Sequence, residues 1–103
     1  MLLTTIHNLG GQEFEVLGMV SGNMVQSKNM FRDLGAGFKS MVGGELHDYT
    51  AMMTEAREAA VGRMIEQARS MGADAILGVS FATSSIMQGA AEVLATGTAV
   101  RLL

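Results

Sequence analysis

Residues 46–72 read LHDYTAMMTEAREAAVGRMIEQARSMG, and the spacing within them decides the architecture. Leu46, Tyr49, Met53, Ala56, Ala60, Met64, Ala68 and Met71 recur at intervals of three or four residues. On a helix such positions form one continuous stripe, apolar here, while Asp48, Glu55, Glu58, Glu66 and Arg69 fall away from it. The spacing predicts a helix of about seven turns lying on a core. Gly72 is its expected stop, because glycine enters the left-handed conformation that closes a helix at little cost.

Beyond the stop come two runs rich in β-branched and small residues, Asp74–Ile86 (DAILGVSFATSSI) and Ala91–Leu103 (AEVLATGTAVRLL), with MQG at 87–89 between them. They are expected to form an antiparallel hairpin. In the second run Leu94, Thr96, Thr98, Val100 and Leu102 alternate with Val93, Ala95, Gly97, Ala99 and Arg101. Neither set is clearly polar, so both faces are expected to be covered, one by the long helix and one by another subunit.

On the N-terminal side, Leu2–Ile6 is a short β-type segment closed by Gly10-Gly11. From Gln12 to about Val25 the pattern has a period near two, with Phe14, Val16, Gly18 and Val20 set against Glu13, Glu15, Leu17 and Met19. Gly22-Asn23 reads as a bulge or bend within that strand. From Ser27 the period changes: Met30 or Phe31, Leu34, Phe38 and Met41 share a helical face, capped by Ser27 or Asn29 and ended by Val42-Gly43-Gly44. The order is β-β-α-α-β-β in a single domain spanning 1–103. This is the α+β class, a mainly antiparallel sheet packed against one long helix and one short helix.

Composition narrows the functional classes. No cysteine is present, which excludes disulfides and thiolate metal sites and suits the cytoplasm. The opening MLLTTIHNLGGQEF has no basic leader and only a brief apolar run, so neither a signal peptide nor a membrane span is expected. The seven Lys and Arg, at 28, 32, 39, 57, 63, 69 and 101, are scattered through a chain of net charge −3. Such a chain offers no basic stripe for nucleic acid. Only 17% of residues are charged against 49% hydrophobic, a balance that points to a homo-oligomer hiding surface between copies.

Candidate chemistry is sparse. GAGFKS at 35–40 resembles a phosphate loop, but Phe38 stands where the motif needs glycine, and the segment falls within the expected short helix. His7 and His47 are the two histidines, and no serine motif accompanies either, so nucleophilic catalysis has no support. Ten methionines could bind soft Cu(I), yet Met41, Met53, Met64 and Met71 occupy helical stripes and read as core filler. Glu45, His47 and Asp48, close together at the start of the long helix, are the candidate ligands for a divalent metal ion, completed by a second subunit. Acids at that position also suit the helix dipole alone.

FRD at 31–33, VGG at 42–44, Tyr49, AREAA at 56–60, GADAILGV at 72–79 and GTAV at 97–100 occur in this order, and together they resemble the YbjQ-like family, which is associated with heavy-metal binding. The resemblance implies a small α+β subunit like that of dodecin, assembling as a ring, usually a homopentamer. It carries no catalytic residues. The chain departs from the family pattern at polar positions, with Lys39-Ser40 before VGG, Glu45 after it, and Ser80, Ala82 and Thr83 where acids are usual. The reading is a homo-oligomeric protein that binds or sequesters a metal ion; the alternative is a small-ligand carrier or enzyme whose site lies between subunits.

Overall fold

The computed structural model describes residues 1–26, 41–42, 45–87 and 90–103, and of 41, 42 and 45–49 the backbone alone. The strands are β1 (Leu2–Leu3), β2 (Phe14–Gln26), β3 (Met41–Val42), β4 (Glu45–Leu46), β5 (Ala75–Met87) and β6 (Ala90–Leu102), with helix α1 (His47–Ser70) between β4 and β5. One sheet has the order β1-β5-β6-β2, and β3 pairs with β4 in a small separate ribbon. β5 and β6 form an antiparallel hairpin whose last register partners are Met87 and Ala90. β2 runs antiparallel to β6 along its whole length, whereas β1 lies parallel to β5 at Ala75 and Ile76.

This arrangement corrects the expected β-β-α-α-β-β order. Among the described residues there is a single helix. Met41 and Val42, assigned to the end of a short helix, are instead extended and pair with Leu46 and Glu45. With glycines at 43 and 44 between them, two short extended pieces can fold back on each other where a helix would have to absorb both glycines. The remainder of that expected helix, residues 27–40 with GAGFKS, lies outside the described residues. The sheet is also open, not the dodecin-like, ring-forming arrangement expected. β1 is only two residues long and, among the described residues, β2 has no strand beyond it, so both edges end without closure.

α1 lies over β2 and β6. Its buried stripe is Met52, Ala56, Ala60, Met64 and Ala68, with Met53 half-buried beside it. The stripe meets Val20, Val93, Ala95 and Ala99 from the sheet. The residues are small because the two backbones nearly touch. A Cβ added at Gly22 would sit 2.1 Å from the Ala60 carbonyl oxygen and 2.4 Å from the Met64 nitrogen. Gly22 therefore keeps ordinary register opposite Ala95, and the bulge expected there is found at Leu17, between Val16 and Gly18. That extra residue resets the alternation, so Leu17 packs on the core while Val16 is 62% exposed. A second bulge follows Leu77, where Gly78 takes φ +62°.

The helix closes as its sequence requires. Gly72 has φ +82°, its N–H bonds to the Arg69 carbonyl at 3.0 Å, and Ala73 N–H reaches back to the Ala68 carbonyl at 3.1 Å. Asp74 then ties the exit to the C-terminus, its carboxylate accepting the Leu102 N–H at 2.8 Å. Gln26, the one buried polar side chain among the described residues, donates to the Met52 carbonyl at 3.4 Å.

Gly22→Ala should lower unfolding stability by about 2–3 kcal/mol in urea denaturation, since the new methyl meets rigid helix backbone. Gly62→Ala serves as its counterpart. Gly62 is exposed within α1 with nothing near its missing Cβ, so that substitution should stabilise by about 1 kcal/mol.

Candidate functional site

Glu45 lies in β4, and His47 and Asp48 open the first turn of α1, so the backbone carries the three candidate ligands through a strand-to-helix corner. Their side chains lie outside the described part of the structure. Elsewhere among the described residues no three His, Asp or Glu gather into a possible metal site. His7, the second histidine, lies far from the others in sequence and packs its ring against Gly78. A Cβ there would meet its Cε1 and Nδ1 at 2.8 Å. The methionines are dispersed through the packing: Met64 and Met52 are buried under the sheet, Met71 reaches Gly18, Met24 and Met53 pack beside the core, and Met1, Met19 and Met87 are exposed. The described residues thus do not furnish the donor set of a heavy-metal centre, and with no cysteine in the chain no thiolate can complete one.

What the structure does assemble is an uncovered surface. On the sheet face turned away from α1, register partners line up as Met19–Thr98–Leu77, Ser21–Thr96–Ser80 and Val25–Glu92–Ser84. Hydroxyl and amide groups cross-link these rows: Ser80 Oγ lies 3.0 Å from Thr96 Oγ1, and Asn23 Nδ2 donates to Glu92 Oε2 at 2.9 Å. Glu92 is the single charged side chain in the rows, although a water-facing sheet usually carries many. Only the end of this face near the chain termini is covered, where Leu9 and Phe14 pack over Ala75, Leu77 and Val100.

The outer edge of β5 is exposed in the same way. The N-terminal segment accompanies it as far as Val79, whose N–H bonds to the Thr4 carbonyl at 3.0 Å. From Ser80 to Met87 the strand has no partner on that side among the described residues, and all eight residues are exposed, Phe81, Ile86 and Met87 among them. The run SFATSSIM contains neither charge nor proline, the usual means of blunting an edge. The β-branched and small residues marked this strand from sequence, but not that β1 would be too short to shield it.

Charge pairing lies away from this surface. Arg101 on β6 is bonded to Glu15 on β2, and that hydrogen bond and the carboxylate's charge raise the guanidinium pKa above its ordinary value. No helix among the described residues is long and apolar enough to cross a membrane.

The family described as "Putative heavy-metal-binding" matches this chain over residues 1–103. The chain belongs to the YbjQ family. A UPF0145 protein of Vibrio parahaemolyticus is 58% identical over 100% of this chain and 99% of its own length. UPF0145 proteins of Thermosipho africanus and Clostridium novyi are 53% and 50% identical, covering 95% and 100% of those proteins. A crystal structure of a protein of unknown function from Pediococcus pentosaceus superposes with a TM-score of 0.70 at 17% identity, over 100% of this chain and 98% of that one. At that identity the likeness bears on the fold of this YbjQ-family chain alone.

Exposure ranks the methionines by reactivity. Under mild peroxide, peptide mapping should find Met19 and Met87, 79% and 65% exposed, oxidised well before Met64, which is fully buried.

Proposed function

We propose that this protein works as a homo-oligomer that binds or sequesters a divalent metal ion, with its site completed between copies. The observation that carries the self-association is the charge-poor sheet face, with Glu92 alone charged in its rows, together with the β5 edge that has no partner among the described residues. The apolar Phe81, Ile86 and Met87 stand on that edge, and a second copy is the partner that removes them from water without altering the fold. The metal reading draws on the family's description and on Glu45, His47 and Asp48. One imidazole and two carboxylates on a short corner suit a borderline first-row ion, and they fall short of the usual four-ligand set, so copies must share the site. Scattered Lys and Arg in a chain of net charge −3 argue against nucleic acid as the ligand. The cysteine-free composition supports a cytoplasmic location.

Light scattering coupled to size-exclusion chromatography at micromolar concentration should give a mass several times 10.9 kDa, and Phe81→Lys should lower it. A monomer would end the assembly reading. Elemental analysis and calorimetry with Zn, Ni and Cu should show binding that weakens at least about tenfold in His47→Ala. Silence with all three metals would end the metal reading and leave the assembly reading to stand on its mass.

A further inference from the structure

The strand at the end of a sheet carries a row of backbone donors and acceptors that a foreign strand can use. β2 is such a strand, and Val20–Gln26 (VSGNMVQ) has neither charge nor proline to discourage pairing. In a strand paired on one side only, alternate residues turn their N–H and C=O groups outward, and here Ser21 and Asn23 do so.

Two of these outward groups are taken up by α1. Gln67 Oε1 accepts the Ser21 N–H at 2.8 Å, and Arg63 Nη1 donates to the Asn23 carbonyl at 2.5 Å. Both side chains come from α1, four residues apart, and so from one flank of the helix. They reach the strand because Gly22, between the two bonded residues, lets Ala60 and Met64 settle onto its backbone. At an ordinary helix-to-sheet distance neither arm would have this geometry. Among the described residues no side chain of α1 is bonded in this way along Ser80–Met87 of β5.

We infer that Arg63 and Gln67 form a latch that closes the β2 edge to strand addition by a second copy. Strand pairing between copies through β2 requires both arms to leave. The strand excluded is an uncharged extended edge such as Ser80–Met87 of the same protein. Pairing of that edge with β2 is head-to-tail, and a head-to-tail contact that does not close on itself grows without limit. The latch confines association to other surfaces.

The test uses native-state amide exchange. Both side chains are exposed, so their truncation leaves the core intact. Gln67→Ala should speed exchange of the Ser21 amide about tenfold while Val20 and Gly22, which face β6, keep their parental rates. Gln67→Glu retains the acceptor and should hold Ser21 at the parental rate. The double variant Arg63→Ala/Gln67→Ala should form particles larger than the parent's by light scattering. Ser21 exchange within twofold of the parent in Gln67→Ala would overturn the latch, as would a double variant with the parental particle size. Neither result depends on whether the parent is itself oligomeric or binds metal.

Discussion

Everything else in this fold is arranged around the contact of one helix backbone with one strand backbone at Gly22. Since a Cβ there would lie inside van der Waals contact of both Ala60 and Met64, the helix residues that meet the sheet are mostly alanine, Ala56, Ala60 and Ala68, with the flexible Met64. Close approach brings many atoms into dispersion range with little side-chain entropy to lose, which suits a chain too short to build a deep core of large residues. It also fixes where α1 lies. Seated over β2 and β6, the helix cannot also cover the distal half of β5, and the exposed edge and bare face follow from that placement.

The long helix, its stop at Gly72 and the C-terminal hairpin were legible because each rests on local periodicity and a conformation that glycine favours. The face of β6 holding Val93, Ala95, Gly97 and Ala99 was rightly seen as buriable. Three features were not legible. The bulge belongs to Leu17 and not to Gly22, because the glycine is required by a helix some 40 residues away in sequence, a tertiary demand that no local pattern encodes. Met41 matched a helical face and Val42 was placed at its end, but the two pair as a strand, since a single apolar position at the end of a stripe fits either period. The dodecin-like, ring-forming arrangement was expected from resemblance, while the brevity of β1 is set by how the N-terminal segment leaves the edge at Val79.

The candidate site was less legible than the fold. Glu45, His47 and Asp48 stand together in sequence and at one strand-to-helix corner, but proximity along the chain does not orient donor atoms. Surfaces were more tractable. A low fraction of charge says that bare surface must exist somewhere, and only the fold shows that it lies on one sheet face and one strand edge.

The paired bulges at Leu17 and Gly78 have a further consequence. They sit on the two strands flanking β6, and each adds one residue to its strand relative to β6; β5 gains another between Ser85 and Met87. Unequal path lengths in adjacent strands force curvature, much as unequal threads pucker a cloth, and here they bend the sheet. They also set the phase of everything downstream. After Gly78 the extra residue places Ser80, Ala82 and Ser84 opposite Thr96, Leu94 and Glu92, and turns Phe81 to the helix side. A deletion of one residue at this point would exchange those faces, presenting an aromatic ring where a row of hydroxyls now lies. The chemical character of the open face is therefore written in the count of residues between Leu77 and Ser80 as much as in their identity.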